Sequence, residues 1–278
     1  MNYDFKESNQ DVLEGLLKPE LYILAGPSKV GKSMIVTSLA NAVANGTSYL
    51  GRNTHQGIVI YFDNDNYASQ TQSRVEALNL KGSDQLIYNF EKTCSFSGMR
   101  NYILYSLEDK FADLKLVVID CYANLYDLND IDRYTDNYSF LKSISSFAME
   151  YAICILLVHH TKKGNLAGQD ALLGSRALTA ATSGTITIEI ENDFATNAVL
   201  ALNLRYLKEK IQIKKDSQRI NWILNEDVET IEDHIDINVL SIIRTLAKHP
   251  SKQLEESCQE LSARINYTEN PKRSLPFP

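Results

Sequence analysis

The chain has 278 residues, 44% of them apolar and 23% charged, with a formal net charge of −7. That balance fits a globular protein with a sizeable core. It excludes a surface coated in nucleic-acid-binding positive charge, though it is compatible with a local basic channel. Cys94, Cys121, Cys154 and Cys258 form no C-x-x-C pair and read as reduced, no apolar run reaches about 18 residues, and the first residues are polar and acidic; a cytoplasmic protein without membrane span or leader is expected.

Residues 1–18 predict a helical or extended cover that docks through Val12, Leu13, Leu16 and Leu17 and breaks at Pro19. Leu21–Ala25 reads as an apolar strand, and Ser33 to about Asn45 as a helix with Ile35, Leu39, Ala42 and Val43 on one face. Between them stands Gly26-Pro27-Ser28-Lys29-Val30-Gly31-Lys32-Ser33, of the form G-x-x-x-x-G-K-[ST]. Such a loop wraps phosphate: its glycines let the backbone curl, its amides and the helix N-terminus face the anion, and the lysine reaches the β/γ-phosphates. ATP and Mg²⁺ are therefore the expected cofactors, with Ser33 as a metal ligand.

Gly46–Arg52 is rich in turn residues, and Gly57–Phe62 is a continuous apolar run expected as a strand buried on both faces. It leads into Asp63-Asn64-Asp65-Asn66, acids at the strand end where parallel α/β sheets hold ligands. A helix over 67–80, a short strand at Leu86–Tyr88 and a helix over 98–110 with Ile103, Leu104 and Leu107 inward follow. Leu114–Asp120 is an apolar strand ending in an acid, whose carboxylate would hold Mg²⁺. Residues 121–137 read as a loop, followed by a helix to about Tyr151 and a buried strand Ile153–Val158 running into His159-His160. Neighbouring strand residues point to opposite faces, so the two histidines are not expected to share a zinc ion.

Residues 164–175 carry glycines without periodicity and read as a loop; Gly174–Leu178 begins a short helix. Strands are expected at Gly184–Ile190, Ala198–Leu204, Ile211–Ile213 and Ile220–Leu224, the last of them alternating apolar and polar as antiparallel edge strands do. From about Glu226 the sequence is acidic and helical, either a helix-turn-helix or a simple helical appendage, with a Pro-rich tail from Asn270.

These segments resemble the RecA-type P-loop ATPases, and within them the RepA-like hexameric replicative helicase group, AAA-family ATPases of plasmids, phages and mobile elements. The resemblance covers roughly residues 12–225 and rests on Gly26–Ser33, Tyr49-Leu-Gly-Arg52, Val59–Asp65, Leu116–Asp120, and His159–Lys162 with Gly174-Ser175 and Ala177-Leu178. It implies a RecA-like ATPase domain over 1–225, a mainly parallel sheet flanked by helices with antiparallel edge strands; composition adds a small helical C-terminal appendage over 226–269 and a disordered tail over 270–278.

The resemblance also assigns roles. The catalytic carboxylate falls on Asp65, with Asp63 left open as the alternative, and Cys121 rather than Glu follows Asp120. The polar sensor falls on His160. Cations completing a neighbour's site fall on Lys208 and Lys210, with Arg205 as a third candidate. Channel loops fall within 122–137 and 162–175, where Lys162, Lys163 and Arg176 would meet DNA phosphates and Tyr122, Tyr126 or Tyr134 would stack on bases. The implied activity is Mg²⁺-dependent ATP hydrolysis coupled to single-stranded DNA, by a homo-oligomeric ring (a hexamer) acting as helicase or loader with other replication proteins. An ATP-switched DNA-binding regulator with slow turnover is the alternative, and a P-loop small-molecule kinase the third reading.

Overall fold

A computed structural model describes residues 10–92, 95–125, 134–161, 175–192, 194–218 and 220–226. The expectations for the appendage and tail from 227 onward, for the 162–174 stretch with Lys162 and Lys163, and for Tyr126 lie outside these residues.

The described chain builds one nine-stranded sheet in the order β3-β2-β4-β5-β1-β6-β7-β8-β9. Six strands are parallel: β1 (Leu21–Gly26), β2 (Ile58–Asp63), β3 (Leu86–Asn89), β4 (Leu114–Asp120), β5 (Cys154–His160) and β6 (Gly184–Glu189). Three antiparallel strands extend the edge: β7 (Asn197–Leu204), β8 (Lys208–Lys215) and β9 (Trp222–Leu224). The helices are α1 (Lys32–Asn45), α2 (Ala68–Ala77), α3 (Phe96–Leu107), α4 (Tyr134–Glu150) and α5 (Ser175–Ala181).

The central strands are apolar on both faces because both are covered. Tyr22 and Leu24 of β1, Val59 and Tyr61 of β2, and Leu156 and Val158 of β5 share a core with α1 and with Val12, Leu13, Leu16 and Leu17. Their neighbours Ile23, Ile60 and Leu157 share the other core with α3, α4 and Leu178 of α5. β7 shows the alternation expected of an edge strand: Ala198, Leu200, Leu202 and Leu204 are buried with α1, and the residues between them are more exposed.

Several expectations need correction. Residues 12–17, expected as helical or extended, are a tight turn closed by Leu13–Leu17 backbone bonds. β2 stops at Asp63, so Asp65 lies two residues past its end. β8 is eight residues long, where apolarity alone suggested only Ile211–Ile213; its Lys and Glu residues alternate on half-exposed faces and carry no apolar signal. Lys208 and Lys210 are thus strand residues rather than a turn. Tyr134 opens α4 rather than lying in a loop.

Candidate active site

The site forms where β1, β2, β4 and β5 end together at the carboxyl edge of the sheet, the place where open α/β sheets bind ligands. β1 runs into the phosphate loop, which turns into α1 through Gly31 at φ 100°, a left-handed conformation that favours glycine. No side chain caps α1. The first-turn amides of a helix lack partners within it, so α1 directs uncapped donors and the positive end of its dipole into the loop. Lys32 is 4% exposed, and its ammonium donates to the carbonyl oxygens of Gly26 (2.9 Å) and Pro27 (2.7 Å). Burial lowers its pKa to about 8, against the pull of Asp120, Cys121 and Asp65.

β5 alternation separates the two histidines. His159 is buried on the α4 side, edge-on to Tyr122 with ring centroids 5.6 Å apart. His160 turns to the phosphate loop, with Nδ1 3.1 Å from Lys32 Nζ and 3.5 Å from Ser28 Oγ. Burial, then the Lys32 charge, lowers the His160 pKa. The lowered pKa favours the neutral ring, and the Nδ1–Nζ distance suits a hydrogen bond between His160 and Lys32.

Asp120 ends β4 beside α1 and is 3% exposed. Its Oδ2 accepts the Tyr61 hydroxyl at 2.7 Å, and the Ser33 hydroxyl also hydrogen-bonds to it. Burial raises its pKa, and the Tyr61 and Ser33 hydrogen bonds oppose that rise. A hydroxyl and a carboxylate side by side at the phosphate loop form a hard-oxygen pair suited to Mg²⁺, which takes few protein ligands and completes its shell with phosphate and water. Among the described residues no cluster of three or more His, Cys, Asp and Glu could hold a metal unaided.

The two candidate acids occupy different environments. Asp63 is fully buried and consumed by structure. Its Oδ2 accepts from Thr71 Oγ1 (2.5 Å) and Arg74 Nη1 (3.4 Å), its Oδ1 from the Asn66 amide (3.0 Å) and side chain (2.9 Å). Asp65 is exposed at the mouth, close enough to influence Lys32, His160 and Cys121 electrostatically. Asn124 Nδ2 donates to its carboxylate at 3.2 Å. Asn64 ties the two strand ends together: its amide donates to Asp120 O (2.9 Å) and its Oδ1 accepts the Cys121 amide (2.5 Å).

The loop, Ser33, Asp120, His160 and Asp65 thus converge, but Lys208 and Lys210 do not join them. β6 and β7 stand between β8 and β1. β8 approaches the loop only at its far end, where Lys215 neighbours Gly31. Lys210 and Lys208 lie five and seven residues before that end, roughly 17 and 23 Å along a strand. Both are exposed, on the face opposite Ile211 and α1. Arg205 sits in the β7–β8 turn, at the opposite end of the sheet from the loop. Tyr122 is not available for stacking on bases: it is buried and donates to Asn137. Arg176 lies in α5, with its side chain outside the described atoms.

The sequence reading missed Tyr61, Asn64, Thr71, Arg74 and Asn124. Tyr61 alone left a signal, since a tyrosine in a doubly buried strand needs a partner for its hydroxyl.

A family profile described as "AAA domain" matches residues 4–165, or 162 of the 278 residues. The chain belongs to the AAA domain family. No curated protein matches the sequence. Among solved structures, one described as an ATPase domain superposes with a TM-score of 0.59 at 10% identity, over 75% of this chain and 86% of that one. A structure titled "The Structure Of A DnaB-Like Replicative Helicase And Its Interactions With Primase" gives 0.60 at 9% identity, over 75% of this chain but only 58% of that one. At such identities the likeness establishes the fold alone: this member of the AAA domain family shares the RecA-like architecture of both structures. Among the described residues no helix is long and apolar enough to cross a membrane.

Proposed function

We propose that this AAA-domain chain is a Mg²⁺-dependent ATP hydrolase driven by single-stranded DNA, assembled as a homo-oligomeric ring that serves as a replicative helicase or its loader. The observation that carries the hydrolase reading is the convergence on Lys32: loop carbonyls, His160, the Ser33–Asp120 pair and exposed Asp65 meet at one strand edge.

In this reading the γ-phosphate takes the Lys32 ammonium away from Gly26 and Pro27, and the α1 amides cradle the β-phosphate. Ser33 and Asp120 would hold Mg²⁺, which would supply positive charge against the phosphates. Asp65 orients a water and takes its proton as the water oxygen bonds to the γ-phosphorus. The bond to the β–γ bridging oxygen breaks and ADP leaves with that electron pair. His160 senses the γ-phosphate through Lys32 and stands one residue before Thr161, where the chain enters the 162–174 stretch.

Lys208 and Lys210 serve a neighbouring subunit's γ-phosphate, which accounts for their distance from their own loop. Lys162, Lys163 and Arg176 are assigned to the DNA phosphates. The interaction with primase named for the DnaB-like structure suggests other replication proteins as partners.

The test is the molecular mass of the chain with and without ATP and single-stranded DNA. A closed ring that forms with ATP and retains DNA supports the reading. A strict monomer that passes phosphate to a small acceptor would replace it with a kinase.

A further inference from the structure

Trp222 is the sole tryptophan of the chain, is 2% exposed, and belongs to an edge strand of three residues. Its indole Nε1–H donates to the carbonyl oxygen of Val30, inside the phosphate loop, at 2.8 Å. A Cβ on Gly31 would stand 3.0 Å from the same Nε1, so the ring occupies the space a side chain would need at that position. Lys215, at the end of β8, places its ammonium 4.2 Å from the indole centroid and donates to Ile220 O at 3.3 Å. The β8–β9 hairpin continues along α1: Ser38 Oγ donates to Asn221 Oδ1 at 3.4 Å, and Leu224 meets Gly51.

We propose that Trp222 is a positioning residue for nucleotide binding: the edge hairpin holds the Val30–Gly31 peptide in its anion-binding orientation. The two ends of a trans peptide point in opposite directions. An indole that anchors the Val30 carbonyl on one side turns the Gly31 amide to the other, toward the phosphates. Loop amides can bind an anion only if their orientation is set beforehand, because each reorientation would be subtracted from the affinity. Lys215 stiffens the ring by its cation–π contact and brings a positive charge close to Gly31. The inference rests on nucleotide binding at this loop, not on DNA or on ring formation.

The experiment measures ATP affinity by titration calorimetry, with Mg²⁺, in the full chain and in Trp222→Phe and Lys215→Met, together with kcat and KM. Phe keeps an aromatic ring in the pocket and removes the N–H together with the five-membered part of the indole. The expected result for Trp222→Phe is ATP binding about tenfold weaker, with KM raised and kcat within about twofold, as for loss of one buried hydrogen bond that shapes a binding loop. Lys215→Met should weaken binding about two- to fourfold. In the wild-type chain the emission of this single tryptophan should change on adding ATP, saturating at the calorimetric affinity, and should not change in Lys32→Ala.

Unchanged ATP affinity in a folded Trp222→Phe would overturn the proposal, as would a fall in kcat at constant KM. If that variant does not fold, the emission decides: a tryptophan indifferent to saturating ATP overturns it equally. A wild-type chain that binds no ATP would overturn the phosphate-loop reading itself, which is a different result.

Discussion

Replacing Asp63 by Asn tests the proposed division between a structural acid, Asp63, and a catalytic one, Asp65. Asp63 and Arg74 form a pair at 3.4 Å with side-chain exposures of 0% and 8%, and Thr71 donates to the same carboxylate oxygen at 2.5 Å. The amide side chain would keep the volume but lose the charge, and its NH₂ would face donors. The guanidinium would remain buried beside Thr37, 3.5 Å away, with its anion gone. Breaking a buried pair from one side costs about 3–5 kcal/mol. For a chain of this size that is a fall in melting temperature of roughly 6–20 °C. Asp65→Asn, at an exposed site, should move the melting temperature by less than about 2 °C, while hydrolysis falls by at least about 100-fold with ATP still bound. Circular dichroism melts and phosphate release at about 20 °C, per folded molecule, provide both numbers. An Asp63→Asn protein of wild-type stability that binds ATP without hydrolysing it, beside an active Asp65→Asn, would show that the assignment of the two acids is reversed.

Lys32→Ala should abolish ATP turnover with the melting temperature preserved; residual turnover above a few per cent would contradict the role of the ammonium. The Lys32 pKa of about 8 is below its usual value and should rise when phosphate binds, so binding above pH 8 takes up a proton. ATP affinity should then fall with rising pH above 8, by at most about tenfold per pH unit, and binding enthalpy should depend on the buffer's ionisation heat; a flat profile to about pH 9.5 would contradict this. Subunits carrying Lys32→Ala mixed with subunits carrying Lys208→Ala and Lys210→Ala should regain activity neither has alone. Full activity of the double lysine variant by itself would make these residues a solvated strand face.

The parts of the fold legible in the sequence are those whose cause is local. The phosphate loop declares itself because glycine, lysine and serine are needed at fixed spacing. β4 and β5 declare themselves because burial on both faces leaves the apolar runs Leu116–Ile119 and Cys154–Val158. Burial of Val12, Leu13, Leu16 and Leu17 was legible, but their conformation was not, because a tight turn and a helix can bury the same four side chains. β8 was largely hidden because Lys208, Glu209 and Lys210 satisfy a half-exposed strand as readily as a turn. Least legible were contacts between distant segments. Asp63 is held by Thr71 and Arg74 of α2, and the indole bond to Val30 spans 192 residues. Neither has a local signature, since each partner is an ordinary residue in its own element.

Phosphate release from Mg²⁺·ATP, measured with and without single-stranded DNA on the wild-type chain and on Lys32→Ala, tests the central claim most directly. The account predicts free phosphate from the wild type, faster when single-stranded DNA is present, and none from Lys32→Ala. ATP binding without phosphate release under either condition, or release indifferent to DNA in a chain that never assembles, would contradict it.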